Sequence, residues 1–521
     1  MNTKKKLARA AVIIMAATIL SRLAGFAREI IMANYFGLSP ARGAFTVAYK
    51  IPNLLRTLIA DTAISAAFIP VFTELITKEN KEEAFKIASI MIGITTIVLS
   101  VLTVLSMVFM PYIIIISAPG FTSDKALFDL TVSLSRIIFP TVIFLGITGV
   151  ITGMLHSFQH FTIPALAPVL WNIVIIAVLV LYQQRLGIYS AAWGILIATV
   201  VQLAIQFLHL RGREGKLFLS ISFRNPYIKE MLKLIIPVSL SLGIINFNVF
   251  VDTIFASYLG PNRLAAIDSA FRIFHLPMGI FAITIGTVLF PLFSTLIAKK
   301  DFANFKPTLM NGISQIFFIT VPVSAMFIVL SRQIVKIIYQ RGQFGSEDTS
   351  LVAWALVFFS FGIPFASANT LVNRGFYSLK KNWIPLYVGG INLISNAVLD
   401  WLLMKPFSHG GICFSTSLVS AFNFIALIYL IQREVGKINT QPLIKSFLKI
   451  SFISAIMAAC SYILFNFLYA LTGLTAALSL SLLSGGIIYI TLSWLLKLKE
   501  FEIAKDVFLY KKKDVLIEKK F

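Results

Sequence analysis

Apolar runs long enough to cross a bilayer follow one another from residue 7 to residue 496, and no other feature of the chain constrains its fold so strongly. A run of about 20 apolar residues is the length that spans a hydrocarbon core as a helix. Inside that core every backbone N–H and C=O must be paired within the protein, which leaves helices and closed barrels as the only spanning forms. A barrel would show segments of about ten alternating residues, and the runs here are continuous. Hydrophobic residues make up 58% of the 521 and charged residues 13%, a balance that excludes a soluble domain of this size. The expectation is an all-α polytopic membrane protein with fourteen spans, near 7–36, 44–76, 86–116, 126–155, 161–183, 188–209, 228–259, 264–297, 307–331, 350–379, 384–404, 411–432, 446–469 and 473–496.

The net charge of +23 would suit a nucleic-acid binder, but its distribution argues otherwise. Lys4, Lys5, Lys6 and Arg9 open the chain, and Lys78, Lys81 and Lys86 follow span two. Arg211, Arg213, Lys216, Arg224 and Lys229 follow span six, and Lys299, Lys300 and Lys306 follow span eight. Lys380 and Lys381, then Arg433 and Lys437, then Lys497 to Lys520 complete the pattern. Basic residues in alternate loops are the mark of the cytoplasmic side, so both termini are expected there, with the lysine-rich tail on the anionic inner leaflet. The basic start and apolar core of the N-terminus are read as an uncleaved first span rather than a signal peptide, because the run continues past Ser21 without turn residues. Cys413 and Cys460 lie in apolar spans, with no spacing for a metal cluster or a disulfide, and read as packing residues.

The chain repeats itself at an offset of about 222 residues. "MANYFG" at 32–37 returns as "FASYLG" at 255–260, and "FIPVFTELI" at 68–76 returns as "LFPLFSTLI" at 289–297. "VAYKIPNLL" at 47–55 returns as "SAFRIFHLP" at 269–277, which sets Lys50 opposite Arg272, and Asn172 matches Asn392. Six spans per unit is an even number, so both units take the same orientation, related by a pseudo-two-fold axis along the membrane normal. The expected organisation is an N-lobe at 1–222, a C-lobe at 223–440, and two further spans with a basic tail at 441–521. Paired repeats of this kind place a transport site between them, near the midplane.

Charge inside the spans gathers at the start of each repeat. The first span holds Arg22, Arg28 and Glu29, the second Lys50, Asn53, Arg56 and Asp61, and the eighth Arg272. An arginine near mid-membrane costs at least about 2.5–3.5 kcal/mol on insertion scales, so each needs a reason. At a rise of about 1.5 Å per residue, Arg28, Arg56 and Arg272 are expected in one depth band, roughly 12–18 Å inside the outer helix ends. One explanation is ion pairing: Arg22 with Glu29 seven residues on, Asp268 one turn from Arg272, Asp61 near Arg56. The other is a wet cationic cavity between the halves that holds an anion. Guanidinium groups bind phosphate oxygens through paired, charge-assisted hydrogen bonds, and Asn53 adds a neutral donor. An excess of arginine over acid favours a phosphate or diphosphate over an organic cation.

Acidic and oxygen-bearing residues form a second group. Asp252 lies in span seven, Asn396 and Asp400 lie four apart in span eleven, and Thr416 lies in span twelve. Two carboxylates, an amide and a hydroxyl suit a hard cation such as Na⁺; protonated carboxylates that pack helices, or a proton-coupled site, are the alternatives. His156 and His160 share a helix face without a nearby acid, which is a weak metal signal. Phosphate-binding glycine loops, HExxH and nucleophile elbows are absent from the sequence.

"SRLAGFARE", "AYKIPNLLR", "AAFIPVFTEL", "SAPGF", "GTVLFPLFS", "YQRGQF" and "RGFYS" together resemble the MurJ (MviN) lipid II flippases of the MOP exporter superfamily. That resemblance implies two six-helix lobes around a V-shaped cavity, with two more helices forming a groove for a polyprenyl tail. It implies substrate-binding roles for Arg22, Arg28, Asn53, Arg56 and Arg272, to which the charge pattern adds Lys50, and gate positions at Glu29 and Asp61. It also implies a Na⁺ site of Asp252, Asn396, Asp400 and Thr416 with the backbone carbonyl of Ile412. Many members carry an acid just before the "AF" of the second span, where this chain has Arg42 and Gly43. The expected activity is therefore translocation of lipid II across the bacterial cytoplasmic (inner) membrane by alternating access, coupled to Na⁺ or membrane potential, with no covalent chemistry. Expected partners are lipid II, membrane lipids and the peptidoglycan synthesis machinery, with the chain a monomer and no nucleic acid bound. Competing readings are an exporter of another anionic polyprenyl-linked glycolipid, a multidrug antiporter, which the cationic cavity disfavours, and a polyprenyl-phosphate enzyme, for which acid, base or metal ligands are lacking.

Overall fold

A computed structural model describes residues 3–57, 63–210, 217–218, 220–222, 225–503 and 505. The expected gate residue Asp61, the loop bases Arg211, Arg213, Lys216 and Arg224, and the lysines beyond residue 505 lie outside the described residues. Among these residues the chain is helical and forms no strand. In order the helices are α1 (Thr3–Phe36), α2 (Pro40–Arg56), α3 (Ala63–Thr77), α4 (Lys81–Val108), α5 (Met110–Ser117), α6 (Lys125–Ile138), α7 (Thr141–Ser157), α8 (Thr162–Leu186), α9 (Tyr189–Leu210) and α10 (Pro226–Tyr258). They continue as α11 (Pro261–Pro277), α12 (Ile283–Ala298), α13 (Phe302–Val329), α14 (Ser331–Tyr339), α15 (Ser346–Ser360), α16 (Ile363–Ser378), α17 (Trp383–Phe407), α18 (His409–Val435) and α19 (Gln441–Leu495).

Nine helices among the described residues are long and apolar enough to cross a membrane, and ten if the bent pair α15 and α16, which meet at 48°, is one span. The difference from fourteen has identifiable sources. Expected spans thirteen and fourteen run together in α19, broken only at Gly473, where φ is 76°. Glycine alone takes that left-handed conformation without steric cost, so it marks the turn between two helices. Expected span two is divided between α2 and α3, neither of them long enough alone. Spans one and seven fall on α1 and α10, which are described only in part. Large apolar side chains point outward all along the long helices: Val104 and Val108 on α4 are 59% and 62% exposed, and Ile463 and Phe467 on α19 both 68%. In water such stripes would be a liability; in lipid they are the surface.

The chain forms two compact units, Met1–Ala265 with Arg341–Gly345, and Ala266–Gln340 with Ser346–Phe521. In the first, α1 packs on α8, α8 on α9, α2 on α6, and α3 on both α7 and α10. Phe72 is fully buried at its centre, with ring centroids 5.1 Å from Phe68, 6.1 Å from Phe85 and 5.7 Å from Phe158. Pro119–Ser123, from the "SAPGF" stretch, is a 3₁₀ turn seated on α10, where Gly120 N–H donates to Ser257 Oγ at 3.0 Å. A Cβ at Gly120 would overlap the Ser257 backbone, so only glycine permits that approach. In the second unit α13 packs on α15, α16 and α19, and α17 on α18. Phe317 is its aromatic hub, 5.6 Å from Phe424 and 5.0 Å from Phe447. Because hydrocarbon removes the hydrophobic drive between spans, close packing of this kind carries the association.

Backbone detail recurs between the halves. Helices α4 and α13 start at 81 and 302, and α8 and α17 at 162 and 383, each 221 apart. Left-handed residues fall at Glu79 and Lys300, Gln159 and Lys380, Gly187 and Ser408, again 221 apart. Asn80 caps α4 by accepting from Glu83 N–H, and Asp301 caps α13 by accepting from Asn304 N–H. A hydroxyl pair, Thr73 with Ser157, has its counterpart in Ser294 with Ser378. Residues 278–282 form a π-turn between α11 and α12, and Thr57, at the end of α2, is also π.

Candidate functional site

Ser39 and Pro40 decide where the second span begins. Ser39 Oγ accepts from Arg42 N–H at 3.4 Å, and Pro40 occupies the first helical turn, where its missing N–H has no partner to lose. The helix therefore starts four residues before the expected 44. Arg56 then lies about 24 Å along α2, whereas Arg28 lies about 12 Å from the end of α1 and Arg272 about 16 Å into α11.

Glu29 is 6% exposed and holds two guanidinium groups. Arg28 NH2 approaches its Oε1 at 3.0 Å and Arg42 NH2 its Oε2 at 3.6 Å. Arg42, 3% exposed, also donates from NH1 to the Gly37 carbonyl at 3.0 Å. The expected pair of Glu29 with Arg22 does not form: Arg22 is exposed, and Glu29 is met by its neighbour Arg28 and by Arg42 from the next helix. Seven residues is two full turns, about 10 Å along the axis, too far for this geometry when nearer cations are present.

Arg56 and Asn53 line a cavity of about 210 Å³ inside the first unit, together with Thr152, Trp171, Gln202 and Gln206. The cavity wall is neutral and hydrogen-bonded: Thr152 Oγ1 donates to Gln206 Oε1 at 2.8 Å, and Trp171 Nε1 donates to Thr199 Oγ1 at 3.0 Å. Tyr49 Oη donates to Asn53 Oδ1 at 3.3 Å, which turns the Asn53 amide nitrogen away from Tyr49. The Arg28 guanidinium lies over the Trp171 ring, 5.2 Å from its centroid. Trp171 thus joins two arginines of this unit, with Arg28 on its face and Arg56 in the cavity it lines. Lys50 stands apart; its Nζ donates to Thr253 Oγ1 at 2.9 Å beside a smaller void of about 70 Å³ that Asn53 also lines. Spacing and charge did not single out Trp171, Thr152, Gln202 or Gln206, because neutral polar residues are ordinary in spans.

In the second unit Arg272 pairs with Asp268 one helical turn away, at 3.0 Å, as the spacing predicts. Asn396 and Asp400 are both fully buried on α17, with Asn396 Nδ2 donating to Asp400 Oδ2 at 3.1 Å. Thr416 Oγ1 donates to the Ile412 carbonyl at 3.3 Å on α18. Asp252 belongs to the first unit. His160 lies edge-on to His209, with ring centroids 5.5 Å apart, and no group of three or more His, Cys, Asp or Glu side chains able to hold a metal ion occurs among the described residues.

A protein-family model described as lipid II flippase MurJ matches residues 32–482. The chain is 32% identical over 425 residues to a probable lipid II flippase MurJ of Buchnera aphidicola subsp. Schizaphis graminum (strain Sg), covering 81% of this chain and 82% of that relative. A solved structure of lipid II flippase MurJ in an inward closed conformation superposes with a TM-score of 0.80 at 26% identity, covering 93% of this chain and 98% of the other. An inward-facing MATE multidrug transporter of the MOP superfamily gives a TM-score of 0.67 at 14% identity, over 84% of this chain and 99% of that one, which is a likeness of fold.

Proposed function

Since the chain belongs to the MurJ family of lipid II flippases, we infer that it is a multi-pass bacterial membrane transporter that moves lipid II between leaflets and makes or breaks no covalent bond. One observation in the site carries the reading: Arg28 stacked on Trp171 while Arg56 lies in the cavity that Trp171 lines. Two guanidinium groups organised around one ring suit a diphosphate, which offers several anionic oxygens for forked donors. Asn53, Gln202 and Gln206 provide neutral donors and acceptors of the kind a sugar needs. Arg272 is proposed as the third cationic contact, with Arg22 and Lys50 as auxiliary ones, and Glu29 and Asp61 as gate residues. Glu29 pairs with Arg28; a diphosphate would compete with it for that guanidinium.

The recurrence of caps, left-handed residues and hydroxyl pairs at 221 supports two lobes related by a pseudo-two-fold axis, at 1–222 and 223–440, with the remaining helices at 441–521 accommodating the polyprenyl tail. On this scheme the fourteen spans are the ten described above, a second one from α19, and α1, α2 with α3, and α10. Rocking of two such lobes gives alternating access, with the lysine-rich ends and both termini on the cytoplasmic side. The test is direct: deplete a host's own lipid II flippase, express this chain, and measure lipid II reaching the outer leaflet. Translocated lipid II and restored growth are expected; transport of an unrelated glycolipid alone would overturn the assignment.

Na⁺ is the proposed coupling ion. Asn396, Asp400, Thr416 and the Ile412 carbonyl supply oxygen donors of the hard kind, with Asp252 as the fifth ligand. Asn396 and Asp400 are fully buried and hydrogen-bonded to each other, and carboxylate, amide, hydroxyl and carbonyl oxygens are the ligands that a hard cation takes. A bound ion stabilises the state that holds it in proportion to its differential affinity. Na⁺ is therefore expected to raise the melting temperature of the purified protein more than K⁺ at equal ionic strength, and Asp400→Ala or Asp252→Ala to remove that difference. Equal responses to both ions, unchanged by either substitution, would leave these carboxylates as packing groups.

A further inference from the structure

The second unit contains a groove separate from the arginine cavity. It holds about 820 Å³, and its walls are the first turns of α13, the first turns of α19, and the segment that follows α19. All three are helix ends, so the groove opens at one edge of the unit. Five lysines surround it: Lys306, Lys445, Lys449, Lys497 and Lys499. Its floor is apolar, formed by Met310, Leu443, Leu448 and Leu498. The segment after α19 is fastened across α13, where Gln315 Nε2 donates to the Glu500 carbonyl at 3.1 Å and Lys499 Nζ to Asn311 Oδ1 at 3.2 Å. Glu500, the one carboxylate in the wall, is 5% exposed and accepts from Ser446 Oγ at 2.6 Å.

What marks this groove is the gathering of several lysines around one space. Some bases at other helix ends sit beside acids, Lys86 with Glu83 at 3.2 Å and Lys381 with Glu434 at 3.3 Å. None of the five groove lysines forms an ion pair among the described residues. Four or five ammonium groups around a shared space repel one another, and an anion between them relieves that repulsion. Helix ends with a basic rim and an apolar floor match an amphiphile whose charge lies at head-group depth. Basic pockets between spans bind anionic lipid heads in this way.

We propose that this groove is a binding site for an anionic phospholipid, its phosphate held by Lys306, Lys445, Lys449 and Lys499 and an acyl chain laid on Met310, Leu443 and Leu448. The lipid braces α13 against both ends of α19, so occupancy stabilises the second unit. The site shares α19 with the helices proposed for the polyprenyl tail, but none of its residues belongs to the arginine cavity.

The test uses the full chain in a neutral detergent, with thermal unfolding followed on addition of phosphatidylglycerol, phosphatidylcholine or inorganic phosphate at matched phosphate concentration. Phosphatidylglycerol alone is expected to raise the melting temperature, and native mass spectrometry to show it retained. The variant K306Q/K445Q/K449Q/K499Q is expected to lose both effects. A control variant with the same charge loss outside the groove, K78Q/K81Q/K86Q/K381Q, is expected to keep them. An equal response to phosphatidylcholine would mean that acyl chains alone act, and a response to inorganic phosphate would mean a free-anion site; either overturns the proposal. So does loss of the response in the control variant, which would reduce the effect to surface charge. Should the quadruple variant prove too unstable to melt cleanly, Leu448→Asp, which places a negative charge on the floor, must also abolish retention of the lipid.

Discussion

Arg56→Ala is expected to abolish lipid II translocation while the protein still inserts and accumulates. Arg56 lies in a cavity whose other walls are neutral, so no neighbouring base in that cavity substitutes for it. A hydrogen bond to a charged group contributes about 1.5–3 kcal/mol, and a forked guanidinium makes two. Losing both costs about 3 kcal/mol or more, which is a hundredfold or greater fall in affinity for the head group. Arg28→Ala and Arg272→Ala are expected to fail in the same assay, and Lys at each position to recover part of the activity, since an ammonium supplies charge without the planar fork. Trp171→Ala separates position from charge: it leaves every arginine in place but removes the ring under Arg28, so it should weaken binding without ending transport. The measurement is translocated lipid II in a depleted host, with expression checked in the membrane fraction. Normal flipping by all three alanine variants would sink the cavity reading.

What could be read in the sequence was whatever stands out against an apolar background. Arg28, Arg56 and Arg272 interrupt hydrophobic runs, and the 222-residue repeat is carried by strings long enough to recognise. The partners of those charges were less legible. Arg42 sits near a helix start, where a base usually reaches for the interface, and nothing in spacing alone joins it to Glu29 on the preceding helix. Trp171 comes from α8, more than a hundred residues from either arginine, and only packing of α1 on α8 brings its ring beneath Arg28. The early start of the second span had a readable signal. Ser39 followed by Pro40 is a helix-start signal in chemistry, but hydropathy places the span later, because "SPARG" is polar. Moving the start to Pro40 carries Arg56 inward by more than a turn. Thr152, Gln202 and Gln206 acquire meaning only as a wall, from two helices at once.

Glu29→Ala is expected to be the most damaging single change to stability in the first unit. Glu29, Arg28 and Arg42 have side chains only 8%, 11% and 3% exposed, so the three charges depend on one another rather than on water. Removing one member of a buried ion pair costs about 3–5 kcal/mol, because the remaining charge keeps its desolvation penalty without its counter-ion. Here the loss leaves two guanidinium groups around the vacated carboxylate, which adds repulsion to desolvation. Arg42→Ala should cost less, since Glu29 keeps Arg28, and it should tighten that remaining contact so that substrate binds more weakly. The two changes share one carboxylate and are not expected to add. Glu29→Ala combined with Arg42→Ala removes one charge of each sign and should be more stable than the sum of the single losses by about 0.5–3 kcal/mol. Thermal melts of the four purified proteins, the parent included, close the cycle. A double variant that loses the full sum would show that Arg42 and Glu29 act separately, and that Arg42 is held by the Gly37 carbonyl alone.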